Sequence, residues 1–163
     1  MKIVIATGGF DPLHSGHINY LQSAKKLGDF LIVGLNSDEW LTRKKGQPFM
    51  PFDERKSVLE ALECVDEVQS FDDSDDTAIE LIERILEEEP EAKVLFANGG
   101  DRKEGHIPES KVANVRLYFH YGVGGDDKKN SSSWILQEWK APKTERPWGY
   151  YRVLHEDVGV KVK

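Results

Sequence analysis

The sequence has little cysteine and no long apolar run. Cys64 is the single cysteine among 163 residues, which excludes an internal disulfide and a cysteine metal cluster and fits a reducing compartment, so we expect Cys64 to pack in the core. The apolar stretches, such as residues 30–35, are far shorter than the ~20 residues of a membrane helix, and Met1 leads directly into Lys-Ile-Val-Ile without a signal peptide. The sequence therefore predicts a cytoplasmic protein without a membrane partner.

Positive charge is also scarce. The 22 Lys and Arg residues stand against 29 Asp and Glu residues, and the formal net charge is −7. Such a chain has no overall positive field to displace counterions from a phosphate backbone, so we expect no nucleic-acid partner. An anionic small molecule would need a local basic pocket.

Apolar runs alternate with amphipathic segments along most of the chain. Buried strands are predicted at residues 2–6, 30–35, 65–71, 93–97 and 116–120, and helices at 16–27, 53–62 and 77–89. This alternation indicates an α/β fold with a Rossmann-like, doubly wound parallel sheet of about five strands. A linker-like run begins near residue 140, so we predict a domain over residues 1–139 and a C-terminal extension over residues 140–163.

In such a sheet the ligand crevice lies at the carboxyl ends of the strands, and the first strand is followed by Thr-Gly-Gly-Phe-Asp-Pro-Leu-His-Ser-Gly-His at residues 7–17. Gly8 and Gly9 allow the backbone to approach an anion, and the next helix points its free N–H groups at the same place. His14 and His17 can both face the crevice and donate to phosphate oxygens. The loop therefore predicts a phosphate site. A metal held by the two histidines is the alternative, with Asp11 as the nearby carboxylate.

The loop and several later motifs resemble the signature of the cytidylyltransferase-like nucleotidyltransferases. This family includes glycerol-3-phosphate cytidylyltransferases and ADP-heptose-forming adenylyltransferases. The resemblance covers about residues 1–138. The later motifs, in the family's order, are Asn36-Ser37-Asp38, Lys44-Lys45-Gly46, Pro51-Phe52-Asp53-Glu54-Arg55 and Gly99-Gly100-Asp101.

The resemblance implies that a phosphate oxygen of an acceptor attacks the α-phosphate of CTP or ATP in line and that pyrophosphate leaves. His14 and His17 would bind the α- and β-phosphates, and Lys44 would bring a positive charge to the reacting phosphates. Mg²⁺ would arrive with the triphosphate, because no dedicated carboxylate cage is evident and no metal site is expected from the protein alone.

The resemblance also implies a wider set of contacts. Lys45 and Arg55 are candidate phosphate contacts, and the alternative for Arg55 is an ion pair with Asp53 or Glu54 at the start of a helix. The residues expected to bind the nucleotide are Thr7, Gly8, Gly9, Phe10, Gly16, Gly100 and Asp101.

The last motif departs from the family, whose members carry an arginine-containing segment that ends in Ser-Thr-Thr. Here Lys128 and Lys129 precede a run of three serines. The serines predict a helix N-cap with hydroxyl donors for phosphate, and the lysines would supply charge without the planar fork of arginine. A solvated turn is the alternative for the lysines. The serines are Ser131, Ser132 and Ser133.

Residues 145–163 resemble the first strands of the cupin domains of mannose-6-phosphate isomerases, without the metal-binding histidines of those domains. The whole sequence predicts a nucleotidyltransferase that moves CMP, or as second choice AMP, to a phosphorylated alcohol such as glycerol 3-phosphate or to a sugar phosphate. The family also implies a homodimer. The alternative is a nucleotide-binding or assembly protein on the same fold that has lost efficient catalysis, as the missing arginine would allow.

Overall fold

The chain folds around a five-stranded parallel sheet. The computed structural model describes residues 1–100, 107–125 and 131–141. The strands are β1 (Lys2–Gly8), β2 (Phe30–Leu35), β3 (Glu67–Gln69), β4 (Lys93–Gly99) and β5 (Leu117–Val123). The helices are α1 (Ser15–Lys25), α2 (Asp38–Lys45), α3 (Phe52–Glu60), α4 (Ile79–Glu88) and α5 (Ser132–Lys140), and Pro108–Lys111 forms a 3₁₀ turn. Within the described ranges no helix has the length and apolar character needed to cross a bilayer.

The strand order is β3-β2-β1-β4-β5, and every neighbouring pair is parallel. The chain moves outward from β1 to β2 and β3 and then returns to the other side of β1 for β4 and β5. The strand order therefore reverses between β1 and β4, which is the place where open α/β sheets bind their ligands. The predicted Rossmann-like, doubly wound sheet is confirmed.

Two apolar clusters cover the two faces of the sheet, because successive residues of a strand point to opposite faces. Ile3 and Ile5 of β1 belong to the cluster under α4, and Val4 and Ala6 belong to the cluster under α1 and α3. Cys64 is half-buried against this second cluster, so it packs at the edge of the core rather than inside it. Helix α4 buries Leu81, Ile82, Ile85 and Leu86.

The element boundaries differ from the predicted ones where tertiary contacts decide them. Strand β3 is shorter than predicted because it pairs with β2 only opposite Ile32–Gly34, while the N–H of Val65 bonds the carbonyl of Leu62. Strand β5 extends to Val123 because Gly99 of β4 pairs with that residue. Helix α2 lies between β2 and α3, where no helix range was predicted.

Candidate active site

The loop after β1 folds over a buried phenylalanine. Phe10 has a left-handed φ of 49° and is 4% exposed. A Cβ on Gly8 would lie 3.1 Å from the Phe10 ring, so a glycine at this position lets the loop close. The ring also meets His17 edge to face, with centroids 5.0 Å apart. Phe10 therefore supports His17 from the core with a buried side chain, and its contact with a nucleotide stays a prediction.

The two histidines of the loop are stacked on each other at the start of α1. Their ring centroids are 3.7 Å apart with an interplanar angle of 24°. His14 is the N-cap of α1, and its Nδ1 accepts a hydrogen bond from the N–H of Gly16 at 3.1 Å. Because Nδ1 is an acceptor, the proton of a neutral His14 ring is on Nε2. The N-terminus of α1 thus presents an imidazole donor where the helix dipole also favours an anion.

His17 resists protonation. Burial, together with the charges of His14 and Lys45, lowers the pKa of His17 from 6.5 to about 3. Its Nδ1 is buried and has no hydrogen-bond partner in the described part of the chain. At neutral pH the ring therefore carries no charge and can donate one hydrogen bond. A phosphate beside it would supply the opposite charge that favours protonation.

The two predicted lysines lie on the last turn of α2 and are held in different ways. Lys45 donates to the carbonyl of Asp11 at 2.6 Å and pairs with its carboxylate at 2.9 Å. Lys44 places its Nζ 4.6 Å from the centroid of the Trp40 ring. Lys45 is close enough to His17 to act on its pKa, so α2 brings positive charge to the histidine loop.

Asp11 joins the loop to the segment that follows α2. Its carboxylate is 2% exposed and accepts from the N–H groups of Phe49 at 2.6 Å and Met50 at 2.7 Å, in addition to the pair with Lys45. Donors within the protein therefore occupy both oxygens, and Asp11 does not fit the role of a metal ligand. No cluster of three or more metal-ligating side chains occurs within residues 1–100, 107–125 and 131–141.

Arg55 is buried and bonded to the protein. It is 1% exposed, and its guanidinium donates to Asp38 Oδ1 at 2.7 Å. The predicted ion pair with Asp53 or Glu54 is therefore wrong, and the described donors of Arg55 point at protein acceptors rather than into the crevice. Its role is to hold together the loop, the end of β2 and the start of α3. The accepting carbonyls belong to Gly9 at 2.9 Å, Asn36 at 2.8 Å and Met50 at 2.9 Å.

Helix α5 and strand β4 complete the rim of the crevice. Ser131 caps α5 by accepting from the N–H of Trp134 at 3.1 Å, as the serine run predicted, and Ser132 Oγ donates to the carbonyl of Pro12 at 2.9 Å. The N-terminus of α5 thus reaches the histidine loop, while Ser133 is exposed. A Cβ on Gly99, at the end of β4, would meet no described atom within 4 Å.

The described residues bring together most of the predicted site. Thr7 and Gly8 end β1, and Gly9, Gly16 and both histidines surround the start of α1. Asp101, Lys128 and Lys129 lie outside the described residues. Sequence reasoning missed the buried contacts of Asp11 with α2 and the segment after it, and the buried position of Arg55, because their partners are distant along the chain.

The sequence and the fold of this chain are similar to those of known proteins. The model of the family described as cytidylyltransferase-like matches residues 5–116. The bifunctional protein HldE of Escherichia coli is 46% identical over 112 residues, which are 68% of this chain and 22% of HldE. The chain thus spans about a fifth of the length of that relative.

Solved structures show the same architecture. A lipopolysaccharide core biosynthesis protein from Thermoplasma volcanium GSS1 has a TM-score of 0.56 at 27% identity, with 74% of this chain and 95% of that protein covered. A protein from Vibrio parahaemolyticus described as a nicotinate-nucleotide adenylyltransferase has a TM-score of 0.58 at 21% identity, with 83% and 84% covered. The second likeness concerns the fold alone.

Proposed function

This chain belongs to the cytidylyltransferase-like family, and we propose that it moves AMP from ATP to a sugar phosphate and releases pyrophosphate. The resemblance inferred from the sequence is confirmed, and with it the prediction of a nucleotidyltransferase enzyme. The observation that carries the proposal is the stacked pair of His14 and His17 at the N-terminus of α1, with Lys45 near enough to act on His17. Imidazole donors, a helix N-terminus and a nearby cation suit a triphosphate, and Lys44 follows on the same turn of α2 as Lys45.

The choice of ATP over CTP rests on the turn after β4. Gly99-Gly100-Asp101 resembles the ADP-heptose-forming branch of the family more closely than the cytidylyl branch. The sequence-based preference for CTP rested on the single-domain size of the chain. The size of the chain does not discriminate between the two branches, because the chain also matches 22% of a larger bifunctional protein. The turn therefore decides the proposed donor.

A sugar phosphate is the proposed acceptor. The solved relative at 27% identity is a lipopolysaccharide core biosynthesis protein, and core lipopolysaccharide is built from sugars. The proposal extends to no other part of HldE, because this chain matches 22% of that protein. A homodimer and a cytoplasmic location stay predictions from the sequence.

The geometry gives each residue a task in an in-line displacement. A phosphate oxygen of the acceptor attacks the α-phosphorus of ATP, the bond to the β-phosphate oxygen breaks, and pyrophosphate leaves. His14 Nε2–H and the neutral His17 ring would hydrogen-bond the α- and β-phosphates, and Lys44 would neutralise charge on the equatorial oxygens. Mg²⁺ would enter bound to ATP as part of the substrate. Positioning and charge stabilisation then account for catalysis without a covalent enzyme intermediate.

A pyrophosphate-release assay tests the proposal. The full chain is incubated with Mg²⁺ and each of ATP, CTP, GTP and UTP, in combination with glycerol 3-phosphate or with hexose and heptose 1-phosphates. Release with ATP and a sugar phosphate is the expected result. Release with CTP and glycerol 3-phosphate would instead establish the cytidylyl reaction, and tight nucleotide binding without release for any pair would favour a binding or assembly protein.

A further inference from the structure

Helix α2 places Trp40 and Lys44 on one face, because residues four apart are neighbours on a helix. The first turn of α2 is anchored: Ser37 Oγ accepts from the N–H of Trp40 at 3.0 Å and donates to Asp73 Oδ1 at 2.7 Å. Asp73 is itself 4% exposed. The backbone of Trp40 is therefore fixed relative to the sheet.

The ring of Trp40 lies near Gly9 in the loop after β1. A Cβ on Gly9 would be 3.4 Å from Cζ3 of Trp40 and 2.8 Å from Cδ2 of Leu41. Cζ3 belongs to the six-membered part of the indole, and the Nζ of Lys44 lies over the same side chain, 4.6 Å from the ring centroid. The edge of the indole thus lies close enough to Gly9 to contact a Cβ at that position, and its face carries the Lys44 ammonium group.

The neighbouring lysines differ in what holds them. Lys45 is paired with the buried carboxylate of Asp11. Lys44 has no hydrogen bond or ion pair within residues 1–100, 107–125 and 131–141, and its contact is with the indole face. A cation–π contact at an exposed site is weaker than a charged hydrogen bond to phosphate. A phosphate can therefore draw Lys44 from the ring without separating an ion pair.

We infer that Trp40 is a positioning residue of the phosphate site: its indole holds the Lys44 ammonium beside Gly9 until a substrate phosphate takes it. The catalytic part of this inference rests on the proposed function, whereas the contact and its displacement by a phosphate do not. Trp40 acts through Lys44 and need not touch the substrate.

A double-mutant cycle tests the catalytic part. Trp40→Leu removes the aromatic face, Trp40→Phe keeps it, and Lys44→Met removes the cation. With ATP and a sugar phosphate, we expect Trp40→Leu to lower kcat/KM about five-fold and Trp40→Phe about two-fold through KM, with unchanged kcat and unchanged melting temperatures. In the Lys44→Met background Trp40→Leu should have no further effect. An equal loss with and without Lys44 would show that Trp40 acts through packing alone and would overturn the inference.

A spectroscopic measurement tests the contact without activity. The protein is labelled with 5-fluorotryptophan, and the Trp40 ¹⁹F resonance is identified by its loss in Trp40→Phe. We expect Lys44→Met to change the chemical shift of this resonance in the free protein, because the ammonium group over the indole is removed. We also expect inorganic pyrophosphate to move it in the wild type but not in Lys44→Met.

The two measurements separate the failures. An unchanged Trp40 resonance in Lys44→Met, or the absence of a pyrophosphate-dependent shift in the wild type, overturns the inference whatever the enzyme does. If Lys44→Met and pyrophosphate both move the Trp40 resonance but the wild type releases no pyrophosphate from any substrate pair, the positioning contact is retained and the proposed function is refuted.

Discussion

His17 occupies a site in which an uncharged ring is favoured. The ring is partly enclosed by Phe10 and stacked on His14, and a proton on His17 would face the charge of Lys45. Two imidazolium rings at 3.7 Å would repel each other, so a neutral His17 makes the stack possible. A bound phosphate would offset the unfavourable positive charge around His17, because its negative charge attracts the imidazoles and Lys45.

The first prediction concerns turnover. His17→Ala removes a donor to the phosphate oxygens, and we expect kcat to fall by about 100-fold to 1,000-fold while the melting temperature changes little. Steady-state pyrophosphate release with the best substrate pair measures the effect. His120→Ala, on the exposed side of β5, is the matched control and should keep wild-type turnover. Near-normal turnover of His17→Ala would contradict the mechanism.

The second prediction concerns stability against pH. The folded pKa of His17 is about 3 and the ordinary value is 6.5, so between these values the unfolded chain binds a proton that the folded chain does not. The free energy of unfolding contributed by His17 is therefore complete above pH 6.5 and is lost progressively as the pH falls toward 3. We expect His17→Asn to lose less stability than the wild type between about pH 7 and about pH 4.5 in urea denaturation. Equal losses in the two proteins would show that the pKa of His17 is not depressed.

The sequence identified the histidines because their motif is local, whereas the roles of Phe10 and Arg55 depend on distant contacts. Phe10 stands in the motif, yet its left-handed φ and buried ring are not visible in residue order. Arg55 reaches the carbonyl of Gly9, 46 residues away, and that of Asn36, 19 residues away. A charged residue in a phosphate-binding motif indicates a ligand contact. Only the folded structure shows that the guanidinium of Arg55 donates to carbonyls and a carboxylate of the protein itself.

Among the elements, α2 connects the sheet to the crevice, and no range was predicted for it from the sequence. Its signals are present, since Ser37 is followed by Asp38 and Glu39 in the first turn and the last turn is basic. The apolar spacing is weak, because Leu41 is its one buried residue. The long, strongly amphipathic α4 was predicted well, with a difference of two residues or fewer at each end. Burial on one face makes a helix predictable, and α2 is held mostly by polar contacts.

The third prediction concerns the Arg55 clamp, the hydrogen bonds by which Arg55 joins the loop after β1, the end of β2 and the starts of α2 and α3. Arg55→Met leaves Asp38 without its partner and removes the Arg55 donors from three carbonyls, one in a buried and two in part-buried hydrogen bonds, so we expect the free energy of unfolding to fall by about 3–5 kcal/mol. Urea denaturation measures the loss. Asp53→Asn, an exposed change in the same helix turn, should cost less than about 0.5 kcal/mol. A similar small loss for Arg55→Met would show that the clamp contributes little.

At the scale of the whole molecule, the described core is complete before α5. All members of the two apolar clusters lie between Ile3 and Val123, and α5 has no buried residue. Trp139 is 72% exposed on α5. The α/β alternation made this sheet predictable from sequence. The attachment of α5 was not predictable, because it includes a hydrogen bond from the Ser132 hydroxyl to the carbonyl of Pro12, 120 residues away along the chain.

The fourth prediction follows from that division and tests the proposed boundary near residue 140. A chain ending at Ala141 keeps β1 to β5 and all of α5, so we expect its free energy of unfolding to stay within about 1 kcal/mol of the full chain and its ATP affinity to be unchanged. A chain ending at residue 130 should still unfold cooperatively, because both clusters remain, but it loses the Ser131 cap and the Ser132 contact at the histidine loop. We therefore expect weaker ATP binding in a calorimetric titration of the shorter chain alone. A loss of cooperative unfolding in the chain ending at Ala141 would show that residues 142–163 belong to the folded domain.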